Sequence, residues 1–222
     1  MSANLALADA TLDDLRLVLA PEIAKAAIFD GWSVAAVRAA AASLGVNPDA
    51  AVFAFSGGAM AMIEAWVTRI DADMPTALPH KRIGNLPIRE RIRTLIQFRL
   101  DALAGCEEAL RRALAIMAMP QNAPAALRLG WHSADAMWRL AGDTATDYNH
   151  YTKRITLGSI YAATLAVFAQ DQSDDHAETR AFLERRIGDV MQFEKAKARL
   201  LKPRDEQFSL ARLLGRLRYP AR

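Results

Sequence analysis

Helical spacing governs this chain. Apolar residues recur at three- and four-residue intervals, glycine and proline punctuate them, and no stretch alternates apolar and polar side chains as a half-buried strand requires. The pattern predicts an all-α fold. A first helix is expected from Thr11, an N-cap, to Asp30, broken or bent near Pro21. A second covers Ser33–Leu44 and stops at Gly45, where only a residue tolerant of a left-handed backbone closes a helix easily. A short third begins at Asn47-Pro48 and ends at Ser56-Gly57-Gly58, and a fourth runs Ala59–Asp73. Three prolines and Gly84 make 74–87 read as a linker. Helices resume at Ile88–Leu103, Cys106–Met119, Asn122–Leu140, Asn149–Gln170 and Asp175–Leu201. After a break at 202–207 comes a short amphipathic helix, Phe208–Leu217. The expected organisation is a head (1–73), the linker (74–87), a helical body (88–201) and a tail (202–222). With 222 residues the chain is long enough to bury a sizeable core.

Charge is distributed unevenly. From Lys195 onward nine Lys/Arg face only Asp205 and Glu206, a net of +7, whereas residues 1–194 carry 19 Lys/Arg against 23 Asp/Glu, a net of −4. A basic end on an acidic body points to an anionic partner met by that end, nucleic acid or a membrane surface. In the tail, Leu210, Leu213, Leu214 and Leu217 form one helical stripe, Phe208 and Tyr219 flank it, and Arg212, Arg216 and Arg218 are placed to reach headgroups. That is the pattern of an interfacial helix on an anionic membrane; the alternative is a helix folded back on the body. No apolar run approaches the length of a bilayer span. The acidic start (Asp9, Asp13, Asp14 against Arg16) lacks the basic character of signal and transit peptides. The single cysteine, Cys106, forms no internal disulfide. The expectation is a cytoplasmic protein, peripheral at the inner face of the membrane.

Catalysis finds little support. His80, His132, His150 and His176 show no metal-ligand spacing, and no phosphate loop, nucleophile elbow or dinucleotide fingerprint is present. Neither a metal nor a cofactor is expected. Asp143, Asp147 and His150 form the most enzyme-like cluster, two carboxylates and an imidazole suited to acid–base work. The competing reading is structural: Gly142 ends a helix, Thr144-x-x-Asp147 resembles a capping box, and Asn149 caps the next helix.

Two motifs carry a resemblance. Ala26-Ala27-Ile28-Phe29-Asp30-Gly31-Trp32 and Ala40-Ala41-Ala42-Ser43-Leu44-Gly45-Val46 resemble the helix-turn-helix of TetR-type regulators. Pro120-Gln121-Asn122-Ala123-Pro124, then Asp135-Ala136-Met137-Trp138, then the run Ala141–Arg154 are similar to the coenzyme Q nine family of accessory proteins in ubiquinone biosynthesis. Ile160-Tyr161, Thr164, Gln170-Asp171 and Phe182–Arg186 continue the match. The resemblance implies a TetR-like dimer that holds a ubiquinone precursor or another isoprenoid lipid and presents it to a ring-modifying enzyme, typically the pathway's di-iron hydroxylase. It also implies that Asp135 and Trp138, i and i+3 on one helix, belong to the patch that engages the hydroxylase. The other reading has Trp138 packing inward.

A lipid carrier needs apolar side chains around a cavity, and the body offers Leu95, Phe98, Leu103, Leu114, Met117, Leu127, Trp131, Met137, Ile160 and Leu165, each of which can equally be ordinary core. Ile155, Leu157, Ala162, Ala163, Val167 and Phe182 are candidates for a homodimer interface on the last two long helices. The segment in the DNA-reading position, Pro48–Phe55, carries no Arg, Lys, Gln or Ser, and residues 1–66 hold three basic side chains against seven acidic ones. Base readout and phosphate attraction both fail, so no nucleic acid is expected. The alternative to a lipid-binding factor is a ligand-sensing regulator of TetR type.

Overall fold

The computed structural model describes residues 11–144 and 148–201. Helix α1 (Leu12–Asp30) is capped by Thr11, whose hydroxyl accepts from the Asp14 N–H while the Asp14 carboxylate accepts from the Thr11 N–H, a reciprocal capping box. The helix runs through Pro21 without interruption. Helix α2 (Val34–Leu44) begins under the Ser33 hydroxyl and ends at Gly45 with φ +66°. Helix α3 (Pro48–Ala54) is capped by the Asn47 side chain, with proline at its first position where a missing N–H costs nothing. Alanine fills the spaces between these three: Ala20, Ala24, Ala27, Ala36, Ala40, Ala41, Ala51 and Ala54 are all buried, so the backbones approach closely around Leu19 and Ile23.

Helix α4 (Gly58–Ala77) extends past the expected end at Asp73 and carries Pro75 in its last turn. A further turn, α5 (His80–Ile83), follows. The segment 74–87 is therefore not a free linker. Met74, Leu78 and Ile83 are buried, and apolar burial overrides the local proline and glycine signals. The body continues with α6 (Ile88–Asp101), α7 (Glu107–Met117), α8 (Ala123–Leu140), α9 (Tyr148–Phe168) and α10 (Ala177–Leu201). Helix α9 starts one residue before its expected cap, Asn149. Between α9 and α10 a 3₁₀ turn, Asp174–His176, places Asp175 and His176 at φ +55° and +53°, and Asp171 caps α10 by accepting from the Thr179 N–H at 2.8 Å.

Residues up to Ile187 form one packed unit, and the chain from Gly188 forms a second, whose described residues continue α10 as helix. Within the first unit the expected head is tied to the body by buried contacts. The Trp32 Nε1–H donates to the Ala109 carbonyl at 2.9 Å, and Arg112 caps the end of α1 by donating to the Ala27 and Phe29 carbonyls. Among the described residues no single helix is long and apolar enough to cross a bilayer. The tail residues Phe208, Leu210, Arg212, Leu213, Leu214, Arg216 and Leu217 lie outside the described residues, as does Asp147.

Candidate functional site

Helices α4, α6, α7, α8 and α9 enclose a cavity of about 300 Å³ whose lining is overwhelmingly apolar. Its inner wall is made by Ile63, Trp66, Ile70, Leu103, Leu110 and Tyr161, all buried. Its outer rim is made by Ala118, Leu127, Gly130 and Ala162, and Leu127 is 75% exposed. Small residues let α8 and α9 cross closely there: a Cβ on Gly158 would lie 3.9 Å from the Ala134 Cβ and 4.0 Å from the Gly130 carbonyl oxygen. The result is an apolar recess opening between two helices, which suits an aliphatic chain.

One charged side chain reaches the inner wall. Arg99 is 1% exposed; its guanidinium pairs with Asp71, donates to the Ser133 hydroxyl at 3.1 Å, and lies over the Tyr161 ring at 4.8 Å. Ser133 in turn donates to Asp71 at 2.9 Å. Desolvating an arginine is costly unless it is paired, and the carboxylate supplies that pairing. The guanidinium Nε has no hydrogen-bond partner among the described residues.

The structure scatters the apolar residues proposed for the cavity. Leu114, Met117 and Leu127 line it, with Leu103 and Leu165. Leu95 and Met137 are fully buried core residues outside its lining. Phe98 lines a separate, more polar groove beside Arg93, Arg180 and Glu184. Trp131 packs against His150 and Tyr151, with ring centroids 6.2 and 6.0 Å away, and Ile160 is half-buried beside the core. Sequence reasoning missed Trp66, Arg99, Ser133 and Tyr161. Arg99 was open to detection: it falls seven residues after Ile92 and three or four after Leu95 and Ile96, on the apolar face of α6, where a charge signals a buried role.

Asp135 and Trp138 do share a face, and it is turned toward α9. Asp135 accepts from the buried Arg154 Nε at 2.6 Å and from Arg139 at 2.7 Å. Arg154 also donates to Asp143 at 3.1 Å, and Lys153 Nζ contacts the same carboxylate at 2.6 Å. The Trp138 Nε1–H donates to the Lys153 carbonyl at 3.0 Å, while the Lys153 ammonium lies 5.4 Å from its ring centroid. Trp138 stays half-buried. Two cations hold Asp143, which suits it to joining helices better than to proton transfer. An open groove lies alongside, lined by Asp71, Leu129, His132, Asp135 and Arg139.

Of the proposed dimer residues, Leu157 is 2% exposed and belongs to the monomer core, whereas Ile155, Ala162 and Ala163 are exposed on α9. Helix α3 presents Asp49 and Phe53 to solvent, and its one charge is negative, partnered by Arg38 at 3.5 Å.

Comparison with known proteins places this geometry. The COQ9 family model matches residues 123–194, a stretch that contains α8, α9 and the Asp135–Trp138–Arg154 network. Ubiquinone biosynthesis protein COQ9, mitochondrial, of Rattus norvegicus is 36% identical over 168 residues, 72% of this chain and 54% of the relative. The Homo sapiens protein of that name is 34% identical over 168 residues, 72% of this chain and 52% of the relative. The chain thus spans about half the length of the curated relatives it matches. Among solved structures it resembles the TetR transcriptional regulator from Nitrosomonas europaea ATCC 19718, with a TM-score of 0.59 and 23% identity, covering 81% of this chain and 98% of that one. That likeness establishes the fold, all-α and TetR-like. Joined to the motif running from Pro120 to Arg154 and to these relatives, it shows a COQ9 family domain carried on a TetR-like frame.

Proposed function

We propose that the chain is a non-catalytic, lipid-binding accessory protein of ubiquinone biosynthesis. It holds an isoprenoid quinone precursor in the α4–α9 cavity and presents it to a pathway hydroxylase at a membrane surface. The observation that carries this reading is the apolar cavity itself, partly walled by α8 and α9 of the matched family segment. The names of the relatives support the pathway. The acidic, arginine-free face of α3 favours this reading over a DNA-binding regulator, because a duplex needs cations where Asp49 and Phe53 stand.

Three features complete the proposal. The basic, leucine-striped tail attaches the protein to anionic membrane, consistent with a peripheral cytoplasmic location. The exposed Ile155, Ala162 and Ala163 of α9 form part of a homodimer interface whose small side chains permit close helix packing. Asp135 and the exposed part of Trp138 dock the hydroxylase, held ready by the Arg154 and Lys153 contacts. Mass spectrometry of an organic extract of the purified protein tests the central claim. A co-purifying prenylated ring compound is expected; an extract free of lipid, together with failure of added prenyl-quinone to bind, refutes it.

A further inference from the structure

The cavity is not uniformly greasy, and its exception is specific. Arg99 is the one charged residue in its lining among the described residues. Its charge is already balanced by Asp71, Ser133 is engaged by both partners, and each terminal nitrogen has an acceptor. Nε is the one nitrogen of the group that is buried without an acceptor among the described residues. Buried donors of this kind nearly always find a partner, because leaving one unmade is costly. Of the lining, Leu103, Leu129 and Trp66 carry no side-chain oxygen, and the Ser133 hydroxyl is already held by Arg99 and Asp71, so no acceptor in the wall serves Nε.

We infer that Arg99 is the polar anchor of the cavity and selects an uncharged amphiphile whose head offers an accepting oxygen, a quinone carbonyl or a ring ether, over an anionic lipid. The inference rests on the lipid-binding reading above and adds the chemical class of the bound head. The sign follows from charge accounting within the wall. Arginine and aspartate together are neutral, so one more hydrogen bond satisfies Nε without bringing in net charge. A carboxylate or phosphate would add an uncompensated negative charge beside Asp71 in an apolar recess and lose its hydration there. Nε has almost no accessible surface in this conformation, and the acceptor reaches it by displacing the Tyr161 ring that covers the guanidinium. The arrangement also orients the ligand. The ring end sits at Arg99 and the tail leaves past Leu127. Leu129 and the Asp71–Arg99 pair form the partition between the cavity and the open groove that holds Asp135, so the ring lies directly behind the surface proposed to meet the enzyme.

Partition of three matched probes between the full chain and neutral phosphatidylcholine vesicles tests this: decylubiquinone, decylbenzene and 4-decylbenzoate. The native protein is expected to favour the quinone over both others by about tenfold, the value of one hydrogen bond from a charged donor. Arg99→Lys keeps the positive charge but changes the donor geometry, and the double variant Arg99→Met with Asp71→Asn removes both charges together. Each is expected to lose that preference while still binding decylbenzene. Circular dichroism confirms that the variants are folded, and selectivity of the native chain is a test independent of them. Equal quinone binding by a folded variant, or native binding of 4-decylbenzoate as tight as the quinone, overturns the anchor while leaving the lipid cavity intact. Native protein that takes up none of the three probes overturns both.

Discussion

The first three helices and the body around α6–α9 solve opposite packing problems. Between α1, α2 and α3 the interior is built of alanine, leucine, isoleucine and valine, with no buried charge among the described residues. Around α6–α9 the interior contains Arg99, Ser133, Arg154, Thr164 and Thr179, two ion-pair networks and an apolar recess of about 300 Å³. Dense packing raises stability, whereas a cavity and buried charges lower it unless something else is gained. The contrast sets a dense three-helix support against a body that carries the less stable features, the cavity and the buried ion pairs, on which the proposed function depends.

The comparison is open to attack by substitution. The largest effect is expected in the body: Arg154→Ala removes the buried cation shared by Asp135 and Asp143 and should cost roughly 3–5 kcal/mol in chemical denaturation. A loss below about 1 kcal/mol would mean that this network contributes little to the α8–α9 contact. Leu19→Ala in the head opens a void among alanines that have no side chain to fill it, and should cost about 3 kcal/mol while leaving ligand uptake unchanged. If uptake also falls, head and cavity are not separable. Trp138→Ala should lower stability by about 1–2 kcal/mol through its lost contacts with Lys153, and weaken capture of a ubiquinone-pathway hydroxylase about thirtyfold. A stability loss of about 4 kcal/mol with unchanged capture would assign the indole to the interior alone.

Smaller effects probe the connection after α9. Burial pushes the Asp171 carboxyl up, but the side-chain and backbone donors of Ser173 and Thr179 together hold it well below the usual carboxylate range. A lowered folded-state value means stabilisation that is complete above the unfolded value near pH 4 and fades as the solution is acidified below it. Asp171→Ala should therefore cost about 1–2 kcal/mol at pH 7, with the gap from the native protein beginning to narrow as pH falls below about 4. The smallest effect is a gain. A Cβ on Gly130 meets nothing within 4 Å, so Gly130→Ala should stabilise α8 by about 0.5–1 kcal/mol. The larger Gly130→Phe, at the rim, should abolish prenyl-quinone uptake without unfolding the chain, as a melting curve beside a binding assay would show.

Elements with strong local signals were legible in the sequence. Thr11 and Gly45 cap the helices they were expected to cap, and Ser33 and Asn47, read as the first residues of theirs, prove to be N-caps, because capping is a property of a few adjacent residues. The family was legible too, from the motif that ends in Asp147–Arg154. Segment 74–87 was misread because Pro75 in a last helical turn and Gly84 look like linker residues until Met74, Leu78 and Ile83 find burial. The cavity was read only in part. Leu114, Met117 and Leu127 were found, but periodicity separates inside from outside and says nothing about which inward residues meet space rather than one another, so Leu95 and Met137 were indistinguishable from them. Ion pairs such as Asp135–Arg154 join residues nineteen apart and leave no trace in local pattern.

Two neighbouring indoles, tilted 44° to one another, give the molecule a built-in optical gauge. Trp66 forms part of the cavity wall, and its ring centroid lies 5.3 Å from that of Trp32, in the loop that follows α1. Light absorbed by either ring migrates readily to the other at that separation, so a quinone beside Trp66 would extinguish emission from both. Trp131 and Trp138, two turns apart on α8 against residues of α9 and outside the cavity lining, would provide an internal reference. Dimming would thus register at the junction of the first helices and the cavity, with no dye attached.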